Sequence, residues 1–442
     1  MSKATSIALA ERLTELLDRL GIARAHVAAS MLADITGFAQ AHPERIASLT
    51  LVCPPRLDPG ALRPLGGRLQ IIAGDQGRPA AVVREAVANL PEATVIWLPG
   101  YFSPPWADVV KDRTMEIDSA LSNIISTHQQ PDERTGTNHA HGSIAGLTYR
   151  SQGHGAALLL FPLSLASSQW DSLLSRLSAR CRAVTLGGPE LGFLAMLESR
   201  GRSNGYLGAV RRIIDALQLR AGEIILEVGC GSGVLDRWIA RYTSQANRII
   251  AVDVNRYLLR EAATLAQQED LADVISFQEG DAEALPLPDN HVDIALSFTV
   301  MEEGNADQML AELVRVTKPG GRIGVMVRAI DIPLVVNVPL RPELKTKVQT
   351  PRGNVGAEGC ADATLYRRFR QAGLTQIQMW PQFAGSDQPD TAQAQFVHGA
   401  ILGALTPDET QEWHNGMAQA VAQGTYFIAQ PLHCAVGTKP HF

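Results

Sequence analysis

Apolar positions along the first 126 residues switch repeatedly between two periods. LAERLTELLDRL places its leucines at helical spacing, whereas AHVAAS, SLTLVCP, RLQIIAG and ATVIWLPG are short apolar runs of strand length. Strands separated by helical stretches predict a parallel α/β sheet over residues 1–126. Residues 127–142 (THQQPDERTGTNHAHG) are polar and lack any period, which predicts an exposed linker. After it, LTYRS, AALLLFPLS and CRAVTLGG read as strands and SSQWDSLLSRLSAR as an amphipathic helix, forming a second piece over 143–200. A fresh alternation begins near Tyr206. There a helix (YLGAVRRIIDALQL) leads into EIILEVG, RIIAVDV, VISFQEG, VDIALSF and RIGVMVR, with helices between them. TQIQMW and the terminal TYFIAQPLHCAVGTK complete a domain over 203–442.

The opening stretch MSKATSIALAERLTELLDRLG has its apolar residues interleaved with Glu11, Asp18 and Arg19, so it predicts a helix rather than a signal peptide. No stretch approaches the roughly 18 apolar residues that a membrane span needs. At 442 residues, with 45% hydrophobic and 19% charged, the chain has material for two or three buried cores. A net charge of -6 and no concentrated basic run argue against a nucleic-acid partner. Cys53, Cys181, Cys230, Cys360 and Cys434 are scattered and form no C-x-x-C pair, so neither a disulfide framework nor a metal site is expected. These features suit a reduced, cytoplasmic protein.

The segment Glu223-Ile-Ile-Leu-Glu-Val-Gly-Cys-Gly-Ser-Gly233 carries the strongest chemical signal. An apolar strand runs into a turn with glycines at 229, 231 and 233, then into a helix whose N-terminus offers free N–H groups. A NAD-binding fold is the natural competitor for such a turn. Three features point elsewhere or add detail. Glu227, two residues before the first glycine, suits an amine-bearing cationic ligand better than a pyrophosphate. Asp253 ends the next strand, where it would accept from ribose hydroxyls, a feature that NAD also fits. Asp281 ends a third strand, where it would accept from an adenine amino group.

With LEVGCGSG, AVDVN, EGDAEALPLPDNHVDIALS and MLAELVRVTKPGGRIGV in this order, the chain resembles the UbiE-type branch of the class I S-adenosylmethionine-dependent methyltransferases. The resemblance is dense over about residues 203–330 and implies a Rossmann-like seven-stranded α/β sheet whose last strand, Thr425–Lys439, runs antiparallel. It implies S-adenosyl-L-methionine as cofactor. Gly229, Cys230, Gly231 and Gly233 would then line the methionine and ribose moieties, with Glu227 near the amino end. Asp253 and Val254 would hold the ribose, Asp281 and Ala282 the adenine, with Ser297 and Phe298 beside the sulfonium and Tyr206 over the carboxylate.

One departure concerns the acceptor. Where many relatives read L-E-H, this chain has Val300-Met301-Glu302-Glu303-Gly304. Glu302 and Glu303 are candidate catalytic carboxylates that would orient an acceptor or take its proton; they also suit a helix start. Met301, Arg328, Trp380, Phe396, His398, Tyr426, Phe427 and His433 are candidate acceptor contacts, and Thr350–Gly359 is a candidate lid. His433 reads equally as a core residue of the last strand. Methyl transfer from a sulfonium needs no covalent nucleophile, so in-line positioning is the expected source of catalysis.

Residues 9–107 resemble the second half of an α/β-hydrolase and residues 147–188 the first half, in permuted order. The two pieces are expected to complete one parallel sheet, within a chain or exchanged between subunits. Catalytic parts are altered throughout. The elbow reads Ala28-Ala29-Ser30-Met31-Leu32 instead of G-x-S-x-G, and Gly77 stands at the acid position with Asp75 nearby. Tyr101-Phe102-Ser103 replaces the histidine, and Pro162-Leu163 replaces the usual His-Gly. The domain is therefore expected to be a scaffold, a homodimer surface or a pocket wall. Three functions stay open: a small-molecule methyltransferase, a bifunctional hydrolase–methyltransferase, and a non-enzymatic S-adenosylmethionine sensor.

Overall fold

A computed structural model describes residues 9–441 apart from 31–34, 56, 104–106, 129–138, 164, 352–354, 390 and 403. The chain divides into two units, Met1–Ala195 and Met196–Phe442, each built on its own sheet.

The first unit contains β1 (Ala25–Ala29), β2 (Ile46–Val52), β3 (Leu69–Gln76), β4 (Thr94–Phe102), β5 (His139–Ile144), β6 (Leu147–Gln152), β7 (Ala157–Leu160) and β8 (Arg182–Gly187). They lie in the order β4-β3-β2-β1-β7-β8-β6-β5. Every residue of β1, β2, β7 and β8 is buried, as expected of central strands covered by helices on both faces. The two sequence pieces meet in the middle of the sheet. There β1 pairs with β7 in parallel, His26 opposite Leu158, and the Phe161 amide donates to the Ala28 carbonyl at 2.9 Å.

Two expectations need correction. The sheet is not parallel throughout, because β6 runs antiparallel to both β8 and β5. The expected linker over 127–142 also ends early, since His139–Ile144 is the edge strand β5; residues 129–138 lie outside the described part. A tight turn explains this hairpin. Ala145 and Gly146 both take positive φ (49° and 78°), the conformation of a two-residue connection that matches strand twist. Arg12, from the helix Leu9–Arg19, donates through Nε to the Ala145 carbonyl at 2.6 Å and pins the turn.

The second unit contains β9 (Ile224–Val228), β10 (Arg248–Asp253), β11 (Ile275–Glu279), β12 (Val292–Phe298), β13 (Thr317–Arg328), β14 (Val335–Val336), β15 (Thr375–Ser386) and β16 (Ile428–Thr438). β11-β10-β9-β12-β13 are parallel neighbours, and β16 inserts antiparallel between β13 and β15. The expected sheet of seven strands gains an eighth. β14 is only two residues long and extends the β13 side of β16 by pairing with Ile428 and Ala429.

Ahead of the sheet, the helix Asn204–Leu217 is capped by Ser203, whose hydroxyl accepts from the Tyr206 amide. Its buried face is Tyr206, Ala209, Val210, Ile213, Ile214 and Leu217, the 3-and-4 spacing of an amphipathic helix. A separate apolar cluster, including Val336, Leu344, Trp413, Tyr426 and Ile428, gathers the helices Pro342–Gln349 and Pro407–Ala422. Among the described residues, no helix is long and apolar enough to cross a membrane.

Candidate cofactor and acceptor site

The carboxyl ends of β9, β10 and β11 lie side by side, so the expected cofactor residues converge there. Gly229, Gly231 and Gly233 have φ of 78°, 56° and 69°, a region that side-chain-bearing residues rarely enter. A Cβ on Gly229 would lie 2.1 Å from Val300 Cγ2, and one on Gly233 2.8 Å from Phe277 Cε1. The Gly229 and Cys230 amides both donate to the Val252 carbonyl, which ties the loop to β10.

Asp253 is the fastener of this loop. One carboxylate oxygen accepts the Gly231 amide at 2.8 Å and the other the Asn255 amide at 2.8 Å. Burial pushes its pKa up, and these two amides oppose the shift. Each oxygen keeps a second acceptor site for a ligand hydroxyl. At the end of β11, Asp281 is exposed and accepts the Glu283 amide at 2.9 Å; Ala282 beside it is half-buried. Val254 is 71% exposed at the rim. Ser297 and Phe298 lie buried within β12, so neither currently presents its side chain to an opening.

Glu227 is buried beneath the loop, on the face of β9 that packs the helix Val234–Tyr242. Its companion is Asp236, in the first turn of that helix and also fully buried. Burial and mutual repulsion raise the Glu227 pKa far above the carboxylate range, and burial raises that of Asp236. Apart from the pair itself and the Asp236 backbone, Glu227 Oε2 and both Asp236 carboxyl oxygens are buried without a donor among the described residues.

A small cleft opens beyond the glycine loop, lined by Met196, Arg200, Tyr206, Thr299, Arg328, Gln430 and Leu432. The Tyr206 hydroxyl lies 3.4 Å from Thr299 Oγ1, and the Arg200 guanidinium sits 5.2 Å from its ring centroid. Of the expected acceptor contacts, Arg328 reaches this cleft. Met301 is buried in the core, and the Tyr426 hydroxyl bonds His398 Nε2 at 2.8 Å within the separate apolar cluster. His433 pairs through Nε2 with Asp331 at 2.7 Å. Strand alternation explains its placement: Leu432 faces the cleft, so His433 faces the other side. Trp380 lies under the Arg212 guanidinium, 4.8 Å away, and Phe427 is 40% exposed. The Phe396 side chain falls outside the described residues.

The two adjacent glutamates diverge. Glu302 is completely buried; its carboxylate accepts the Arg328 amide at 2.7 Å and lies 3.3 Å from Arg328 Nε. Glu303 is partly exposed and accepts from Arg328 Nη2 at 3.0 Å. Burial works against the Arg328 charge, but the two carboxylates outweigh it and hold its pKa above the ordinary value. Glu302 thus braces Arg328 rather than facing an acceptor directly. The expected lid is anchored where it is described: Gly356 and Cys360 donate their amides to the Glu302 and Met301 carbonyls, both at 2.8 Å. Residues 352–354 lie outside the described part.

Comparison with known families agrees with this geometry, since residues 226–325, from β9 into β13, match the methyltransferase-domain family. This stretch is a class I methyltransferase domain. A demethylmenaquinone methyltransferase from Lactobacillus johnsonii is 31% identical over 131 residues, covering 29% of this chain and 52% of that protein. A ubiquinone/menaquinone biosynthesis C-methyltransferase, UbiE, from Hahella chejuensis is 32% identical over 117 residues, covering 26% and 47%. The chain thus spans about half the length of the curated relatives it matches. Among solved structures, the YcgJ protein of Bacillus subtilis aligns at 17% identity and TM-score 0.36, covering 53% of this chain and 99% of that one.

The cofactor of this methyltransferase domain is S-adenosyl-L-methionine. The residues fit it: a positive-φ glycine turn at the carboxyl edge of the sheet, an acidic pair short of a positive partner, and a carboxylate with free acceptor sites at the end of β10. Arg200, Thr299, Gln430 and Asp236 carried no sequence signal. Asp236 alone was detectable in principle, as an acidic residue among the buried positions Leu235, Ile239 and Ala240 of its helix, beside the equally buried Arg237.

Proposed function

We propose that this protein transfers a methyl group from S-adenosylmethionine to a small-molecule acceptor that docks on the Arg328 side of the cofactor. The carrying observation is the convergence of Glu227, the glycine turn and Asp253 at the carboxyl edge of adjacent parallel strands. Ligands bind α/β sheets at that edge. Bound there, S-adenosylmethionine supplies a methyl group already activated by the sulfonium. Asp253 would hold the ribose, Glu227 would face the ammonium, and Tyr206 with Arg200 would close the methionine end. Catalysis then comes from alignment of acceptor and methyl carbon. The names of the matched relatives point to quinone precursors. Arg328, held rigid by Glu302 and Glu303, would orient a polar or anionic group of such a ring.

The first unit is, in this reading, a non-catalytic scaffold of permuted α/β-hydrolase type. Its strand order supports the hydrolase likeness, and pairing of β1 with β7 within one chain makes exchange between subunits unnecessary. Ser30 is buried, with its hydroxyl donating to the Cys53 carbonyl. At the histidine position Tyr101 donates to Asp112 at 2.9 Å. The test incubates purified protein with methyl-labelled S-adenosylmethionine and a small-molecule extract, followed by mass spectrometry, alongside p-nitrophenyl ester hydrolysis. Labelled product without ester turnover supports the proposal. Cofactor binding without any transfer would favour a sensor, and ester turnover abolished by Ser30→Ala would restore the bifunctional reading.

A further inference from the structure

The carboxyl pair under the glycine loop is short of donors. Glu227 and Asp236 are both fully buried and act directly on each other, and two carboxyl groups share a hydrogen bond only through a proton. Three of their buried oxygens, Glu227 Oε2 and Asp236 Oδ1 and Oδ2, have no donor among the described residues apart from the pair itself and the Asp236 backbone. The surrounding charges do not supply one. Arg237, next to Asp236, is committed to Glu198 at 2.6 Å, Glu269 at 2.9 Å and the Ser232 carbonyl at 2.7 Å. Arg200 acts on Glu227 at longer range while lying over the Tyr206 ring. Asp253 adds a further negative charge to both members, and the remaining titratable neighbours are Tyr206 and Cys230.

Two buried carboxyl groups in contact cannot both ionise cheaply. Either a proton or an incoming cation must neutralise the second charge. The α-ammonium of the cofactor's methionine moiety is such a cation, and it brings three N–H donors. We propose that Glu227 and Asp236 share one proton in the cofactor-free protein and that the arriving ammonium expels it to solvent. Asp236 is then a positioning residue: it makes the ammonium receptor proton-linked without touching the reacting methyl group. This rests on the reading that the cofactor's amino end faces Glu227. The helix N-terminus contributes too, since Asp236 lies in the first turn, where the helix dipole favours the negative charge left behind. Protons balance as one bound by the pair before docking and one released on docking.

The experiment is calorimetry of the full-length protein with S-adenosylhomocysteine, from about pH 6 to pH 8, in phosphate and in Tris, whose ionisation enthalpies differ. Release of about one proton is expected, with Kd falling by about tenfold per pH unit where release is complete. 5′-Methylthioadenosine, which lacks the amino-acid portion, should bind with no proton release. In Asp236→Asn the side-chain amide donates to Glu227 and leaves it ionised, so release should fall close to zero and the affinity become independent of pH. Equal release with the two ligands, no release with S-adenosylhomocysteine, or unchanged release in Asp236→Asn would overturn the proposal. Should Asp236→Asn fail to fold, the comparison of the two ligands on the native sequence decides alone. Failure of the underlying reading looks different: without a cofactor site neither ligand binds, and with the amino end elsewhere Glu227→Gln leaves the affinity for S-adenosylhomocysteine unchanged.

Discussion

Replacing Asp253 with alanine tests the cofactor cradle most directly. In the free protein the Asp253 carboxylate accepts two amides, from Gly231 and Asn255, both at 2.8 Å. Hydrogen bonds to a charged group are worth about 1.5–3 kcal/mol each. The loop therefore loses a local restraint of roughly 3–6 kcal/mol, of which water at this partly open position recovers a share. In the complex the same carboxylate would also accept two ribose hydroxyls. Losing that bidentate contact costs at least about 3 kcal/mol, a factor of more than a hundred in Kd. Calorimetry or fluorescence quenching with S-adenosylhomocysteine reads the affinity, and circular dichroism with a thermal scan confirms that the variant is folded. Asp253→Asn should fall between, because its amide N–H₂ meets one of the two backbone donors head-on. A folded Asp253→Ala protein whose Kd changes less than threefold would refute the assignment.

Three other outcomes follow from buried charges. Glu302→Ala strips the half-buried Arg328 of its fully buried partner and should destabilise the second unit by about 3–5 kcal/mol. Glu302→Gln should cost clearly less in the same urea titration; equal losses would contradict the bracing role. Arg237→Leu orphans the buried Glu198, a loss of about 3–5 kcal/mol, and should lower Tm by roughly 6–20 °C at about 2–4 °C per kcal/mol for a unit of this size. Adding Glu198→Leu should restore much of that loss, and strict additivity of the two would argue against coupling. For pH, the folded Glu227–Asp236 pair keeps a proton that the unfolded carboxyls release near their ordinary values. Its contribution to the cofactor-free protein is therefore complete below that ordinary range and is lost as pH rises toward the raised folded values, at about 1.4 kcal/mol per pH unit per proton. The difference between native sequence and Asp236→Asn in urea unfolding at about pH 5.5 and pH 7.5 isolates this slope, and parallel curves would exclude it.

The parts legible in the sequence were those with strong period or constrained backbone. The runs EIILEV, RIIAVD and VDIALSF became β9, β10 and β12, and the positive-φ glycines announced the turn between strand and helix. β5 escaped notice because HAHGSI is polar, and its pairing depends on a turn and on Arg12 rather than on an apolar face. β14 is too short to carry a pattern. At the acceptor end, sequence proximity misled. Glu302 and Glu303 are adjacent, yet one is sealed in the core while the other reaches solvent, and the buried Leu432 and His433 occupy opposite faces of β16. Side-chain direction, set by partners far along the chain, decides such cases, and single-sequence periodicity does not reach it.

The meeting of β1 and β7 at the centre of the first sheet also bears on how the chain acquires its structure. These partners lie about 130 residues apart, and the strands that flank them on either side are all nearer in sequence to their own neighbours. During synthesis, β1 through β4 emerge with one edge of β1, a strand buried at every residue, lacking its neighbour until the segment holding β7 follows. Closing so long a loop late is slow relative to local hairpins. The first unit should thus depend on protection of that open edge until β7 emerges; in the second, β9 and β10 pair across a short helical crossover, but β13 likewise waits more than a hundred residues for β16.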